Sequence, residues 1–224
     1  MNSNLEIQKN QFAQQLVEWY QTHGRDFPWR ATKNPYHILL AEMLLRRTTA
    51  TAVARVYPTL LLRFENPKSL AKARLSIIEK QVASLGLQKQ RALHLKRAAT
   101  SIVNDHEGRV PRDVVALSQL PGVGRYIVSA VMIFAFGESL PMVDGNVIHL
   151  LTRVFGLSFT GPTDESAWQF MESFDPDVQH RVFYWSIIDL VAMVCIRSSP
   201  RCSICPLRLL CSWNKKKEIQ NGST

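Results

Sequence analysis

The first 194 of the chain's 224 residues contain no cysteine, and all four cysteines fall between positions 195 and 211. A disulfide framework spreads its cysteines along a chain to close long loops, so this distribution excludes one. Lysine is also missing over a long stretch, with none between Lys96 and Lys215. No apolar run approaches the roughly twenty residues that a bilayer crossing needs. The longest, Ile127 to Phe136, has ten residues with Ser129 among them, and reads as a buried helix. The N-terminal MNSNLEIQKN lacks the apolar stretch of a secretory signal. A soluble, cytoplasmic protein is expected.

What is present is ordinary globular material. Hydrophobic residues make up 46% and charged residues 20%, which excludes wholesale disorder. The length suits one large domain or two small ones. Lys and Arg number 27 against 18 Asp and Glu, a net charge of +9. Such an excess suits a polyanionic partner, most often nucleic acid, and equally a generically basic protein. The longest basic run, Lys215-Lys216-Lys217, reads as a solvated tail.

Nearly every segment has helical period and almost none alternates like a strand, so the chain is expected to be all-α. Phe12, Leu16 and Trp19 follow i, i+4, i+7. Asn34-Pro35 supplies an N-cap and a proline at the first helical position, opening a helix to about Arg47. Further helices are expected near 50–64, 74–84, 88–104, 113–119, 125–136, 145–155, 164–174 and 178–196, with Pro58 kinking the first of these.

Four segments carry chemistry. Leu120-Pro121-Gly122-Val123-Gly124 lies between two apolar helical patterns. Its glycines permit positive φ and a tight hairpin, and leave backbone N–H groups able to face a phosphate. An ordinary helix–helix turn explains the same residues. Met142 to Val147 leads into a helix with Asp144 as its N-cap, where N–H groups and the helix dipole favour an ionised carboxylate. An ionised Asp can also stabilise a sugar cation. Glu42 shares a helical face with Ile38 and Leu45, so burial should raise its pKa and suit it to carrying a proton. An ion pair with Arg46, one turn on, is the structural alternative. The four clustered cysteines point to one four-thiolate metal site, and from spacing alone zinc and iron–sulfur are equally suitable.

Together these segments resemble the helix–hairpin–helix DNA glycosylase superfamily, on the branch of endonuclease III and the MutY adenine glycosylase. The resemblance rests on FPWR (27–30), NPYHILLAEMLLRRT (34–48), LPGVGRYIVSA (120–130), VDGNV (143–147) and Cys195-x6-Cys202-x2-Cys205-x5-Cys211. It implies two helical domains with a DNA cleft between them. A six-helix bundle carrying the hairpin would span 23–136, and a discontinuous domain would join 1–22 to 137–224. The loop 195–211 would hold a [4Fe–4S] cluster on Cys195, Cys202, Cys205 and Cys211, with Arg197, Arg201 and Arg208 touching phosphate.

Two departures refine the expectation. Arg46-Arg47 stands where MutY-type enzymes usually carry Gln-Gln, and with thirteen residues after Cys211 their additional C-terminal domain is not expected here. LLRRTTA (44–50) and Tyr126 look more like the thymine-DNA mismatch glycosylases called MIG. The resemblance thus implies a monofunctional, monomeric glycosylase in a bacterial or archaeal nucleoid, excising thymine or uracil mispaired with guanine in double-stranded DNA. Asp144, Tyr126 and Glu42 would be its catalytic residues. Arg46, Arg47, Leu120, Gly122, Val123 and Gly124 would contact DNA. The rivals are adenine excision opposite guanine or 8-oxoguanine, and a non-catalytic DNA-binding module.

Overall fold

A computed structural model describes residues 3–216; Lys217, the end of the basic run, lies outside them. Among the described residues there is no strand, and helices form two compact units. One unit comprises Met1–Arg25 with Ser139–Thr224, the other Asp26–Glu138. No described helix is long and apolar enough to cross a membrane.

The continuous unit contains α2 (Pro35–Leu45), α3 (Ala50–Arg63), α4 (Pro67–Lys72), α5 (Leu75–Val82), α6 (Gln88–Asp105), α7 (Val114–Ser118) and α8 (Arg125–Val131). Asn34 caps α2 by accepting from the Tyr36 and His37 N–H groups. Asn66 and Ser69 form a reciprocal capping box that starts α4, a helix the apolar period did not reveal. Pro58 lies inside α3. The expected helix over 125–136 is α8 followed by one π-turn, Met132–Phe136, which ends at left-handed Gly137. The expected 74–84 helix is shorter as well, and a 3-10 turn at Ala83–Leu85 follows it. α2 packs on α3, α6 and α8, and its Ile38, Leu40 and Leu44 are fully buried.

The discontinuous unit contains α1 (Ser3–His23), α9 (Gly145–Phe155), α10 (Glu165–Glu172) and α11 (Arg181–Met193). α1 and α9 pack on α11. The 178–196 pattern overshoots α11 at both ends, because Asp175 to His180 form turns and Val194 leaves helical geometry. Phe12 sits in an aromatic cluster, 5.2 Å from Phe155, 5.9 Å from Phe174 and 6.1 Å from Phe183. The buried Asp189 carboxylate accepts from the Arg25 backbone N–H at 2.7 Å and pairs with its guanidinium. This fastens the end of the α1 segment to α11.

Candidate active site

Asp144 stands at the start of α9. Its Oδ1 accepts from the backbone N–H groups of Asn146 and Val147, both at 2.8 Å, and its Oδ2 from Asn146 Nδ2 at 2.9 Å. Arg197 donates to the Gly145 carbonyl at 2.6 Å. The cap is as read from sequence, but the electrostatic balance is different. Burial pushes the Asp144 carboxyl above the usual carboxylate range, outweighing the Val147 and Asn146 bonds and the Arg197 charge that pull it down. A carboxylate so placed is a better proton acceptor than a free one.

Packing of α2 on α8 brings Glu42 and Tyr126 together, and the Tyr126 hydroxyl donates to Glu42 Oε2 at 3.1 Å. Glu42 is only 3% exposed, a deeper burial than its helical face suggested. Arg46, the ion-pair alternative for Glu42, instead donates to the Gly122 carbonyl of the hairpin at 3.1 Å. Arg46 and Arg47 are exposed, and Arg47 adopts a left-handed φ of 55°. With Met43, Leu87, Gln90, Arg91 and His94 they line a cavity of about 120 Å³.

Only one of the two hairpin glycines adopts positive φ. Gly122 has φ 83°, and a Cβ there would lie 2.9 Å from His94 Cβ, so both conformation and space require glycine. Gly124 has extended backbone, and a Cβ there would meet nothing within 4 Å. Leu120 and Val123 are buried, which leaves their backbone as the part able to meet DNA.

The four thiols line one pocket with Arg153, Arg201, Arg208 and Trp213. Among the described residues, no three His, Cys, Asp or Glu side chains are grouped so as to hold a metal ion. Burial pushes the thiols of Cys195, Cys205 and Cys211 up, Cys205 to about 12. Sulfurs so enclosed become thiolates only beside compensating positive charge, as iron in a cluster supplies. Arg153 lies 3.5 Å from Cys195 Sγ, and backbone N–H groups of Leu207, Trp213 and Asn214 bond Cys205 and Cys211. Hydrogen bonds to sulfur of this kind suit cluster thiolates.

Residues 40–176 match the HhH-GPD superfamily of base excision DNA repair proteins. The chain belongs to this family. It is 38% identical to a thymine/uracil-DNA glycosylase of Methanothermobacter thermautotrophicus, over 92% of this chain and 94% of that one. It is 40% identical to a thymine-DNA glycosylase of Aeropyrum pernix, over 88% and 91%. A solved thermostable thymine-DNA glycosylase superposes with TM-score 0.88 at 37% identity, covering 93% of this chain and 97% of that structure.

Within this HhH-GPD chain, the structure gathers Glu42, Tyr126, Arg46 and Gly122 in the continuous unit, and Asp144 with the cysteine loop in the other. Two residues escaped sequence reading. Asn146 lies inside VDGNV, two residues after Asp144, and that Asx-like spacing is a usable signal. Arg91, buried among backbone carbonyls, gave none.

Proposed function

We propose that this protein is a monofunctional glycosylase that removes thymine or uracil mispaired with guanine and leaves an abasic site. One observation carries the reading: similarity to thymine/uracil-DNA glycosylases runs over nearly the full length of both chains. The enzyme works as a monomer on duplex DNA. It flips the mispaired pyrimidine out of the helix, a step made easier because a mismatched base is cheaply unpaired.

As the N-glycosidic bond breaks, positive charge builds on the sugar. The Asp144 carboxylate stabilises that charge and accepts a proton from the attacking water, a role its raised pKa suits. Asn146 and the Val147 N–H fix the carboxylate's orientation, so no reorganisation is needed during reaction. The Tyr126 hydroxyl and Glu42 hold the flipped base. Arg46 or Arg47 fills the vacated stack or pairs with the orphan guanine, whose O6 and N7 match a guanidinium fork. The hairpin backbone from Leu120 to Gly124 takes a phosphate, with the bare Gly124 admitting its close approach.

Cys195, Cys202, Cys205 and Cys211 hold a [4Fe–4S] cluster, which cross-links the loop 195–211 and carries no step of base removal. The decisive experiment incubates the protein with T·G, U·G, A·G and A·8-oxoguanine duplexes and then cleaves with alkali. Strand breaks at thymine and uracil support the reading. Breaks at adenine alone would move the protein to adenine excision, and binding without breaks in single turnover would make it a non-catalytic module.

A further inference from the structure

α2 ends in an unusual way. Its last carbonyls need partners, yet no glycine follows to turn the chain. Arg46 is extended, at φ −61° and ψ 121°, and Arg47 takes a left-handed conformation without glycine's freedom. Leu87, just before α6, is left-handed too, at φ 51°. These are two of the three non-glycine residues with positive φ among the described residues, and both line the cavity beside Arg46.

One buried side chain joins the two turns. Arg91 Nη1 donates to Met43 O at 3.2 Å and Leu44 O at 2.9 Å, and Nη2 to Arg46 O at 3.0 Å. On the other side, Nη2 donates to Leu85 O at 3.4 Å and Nε to Gly86 O at 3.3 Å. All five N–H groups of a guanidinium are thus spent on backbone carbonyls. Lys96, farther along α6, caps carbonyls as well, Ala71 at 2.8 Å and Ala73 at 2.5 Å, but at the end of α4 and away from the cavity.

From this we infer that Arg91 is a positioning residue for mismatch specificity. Its guanidinium locks the Arg46–Arg47 turn to the Gly86–Leu87 turn, and so fixes the cavity rim that meets the mismatch. The inference rests on the proposal that Arg46 and Arg47 face the mismatch. A planar five-donor fork spans both turns, whereas an ammonium with three donors on one point does not. The cavity lining named above has no carboxylate, so the positive rim favours acceptor-rich groups such as guanine's O6 and N7 edge.

The test compares Arg91→Lys with Lys96→Met in the full chain, measuring melting temperature, binding to T·G and T·A duplexes, and base release at saturating enzyme. Arg91→Lys should lower the T·G to T·A binding ratio about tenfold, as expected for lost charge-assisted hydrogen bonds, with base release at saturation within about threefold of wild type. Lys96→Met should lower melting temperature and leave the ratio alone. An unchanged ratio in Arg91→Lys, or an equal fall in Lys96→Met, overturns the inference. Arg91→Gln replaces the lysine variant if that does not fold. Failure of both to fold would assign Arg91 to stability alone and also overturn it. Arg46→Ala and Arg47→Ala separate the two levels. If neither lowers the ratio, the reading of the turn fails. If either does while Arg91→Lys does not, only the role of Arg91 fails.

Discussion

The start of α9 and the end of α2 both carry candidate chemistry, and they are closed by opposite means. Asp144 closes α9 from within, accepting N–H groups two and three residues ahead. Arg91 closes α2 from 45 or more residues away, through a guanidinium that no charged partner needs to neutralise because carbonyl dipoles surround it. In the proposed mechanism the first closure uses the same charge that the reaction uses. The second uses a charge only to hold geometry. A replacement that keeps shape and removes charge should therefore be severe at Asp144, and one that keeps charge and changes shape should matter at Arg91.

The largest expected effect follows from that contrast. In Asp144→Asn the amide oxygen still accepts the cap bonds, but the negative charge is gone. Base release should fall on the order of a thousandfold or more, with mismatch binding nearly intact. Stability should move the other way. Burial raises the folded-state pKa, so the folded protein binds more protons than the unfolded chain between the ordinary carboxylate value and the raised one. Ionisation thus costs stability as pH climbs through that window, and the cost remains at neutral pH. The Asn variant should melt at or above the wild-type temperature at pH 7. Single-turnover rates and melting curves check both halves, and a near wild-type rate would leave Asp144 as a cap only.

Next in size is the cysteine pocket, which belongs with α9. His149 and Arg153 from α9 both meet the loop at Cys195, through its carbonyl at 2.9 Å and its sulfur at 3.5 Å. Protein purified anaerobically should be brown, with four irons per chain, about the stoichiometry of one [4Fe–4S] cluster. Cys205→Ser should lower iron content and melting temperature together. A colourless protein carrying one zinc would replace the cluster with a four-thiolate ion site.

At the α2 end, effects should be smaller and selective. Arg46→Ala or Arg47→Ala should weaken T·G binding about tenfold more than T·A binding, the scale of one bidentate contact to a base. Equal losses on both duplexes, with a shallower salt dependence, would recast the two arginines as phosphate contacts.

The same contrast decides what sequence could reveal. Caps made by neighbours are legible: Asn34 before Pro35, and Asp144 before its helix, stand where their spacing puts them. Asn66-Pro67 carries the same signal, but the six-residue α4 is too short to show an apolar period. The end of α8 is not legible, because a π-turn keeps the apolar character of the helix while changing its hydrogen bonding. Contacts across the chain are hidden for a different reason. The Tyr126–Glu42 bond joins residues 84 apart, and the five carbonyls of Arg91 have no side-chain identity to read. At Asp144 the helix start supplies the local partners that favour ionisation, and burial, which only packing supplies, reverses the direction of the shift.

A smaller effect tests the electrostatics of Asp144 directly. Base release should rise with pH as the carboxyl ionises, and the midpoint of that limb should lie above the ordinary carboxylate range. Arg197 pulls the Asp144 pKa down, so Arg197→Gln should move the limb to higher pH. A limb that stays in place would remove Arg197 from the field at Asp144.

The smallest expected effect is none at all. A lyase that cuts the strand needs an amine to attack the sugar carbon and form an iminium. No lysine lies between Lys96 and Lys215, a stretch that includes the hairpin and Asp144. Nor do two lysines elsewhere offer a loose amine. Lys9 is buried and spends its ammonium on Ser173 and Glu6, and Lys96 is held by two carbonyls. Borohydride added during turnover should therefore trap no protein–DNA adduct, and strand breaks should need alkali or heat. Efficient trapping would overturn the monofunctional reading. Tyr126→Lys sharpens the point, because it would put an amine where a phenol now meets Glu42 at 3.1 Å. A buried carboxylate at that distance favours the ammonium, which is no nucleophile. The single variant should trap weakly, and Tyr126→Lys with Glu42→Gln should trap more. If both trap alike, Glu42 does not govern the proton at position 126.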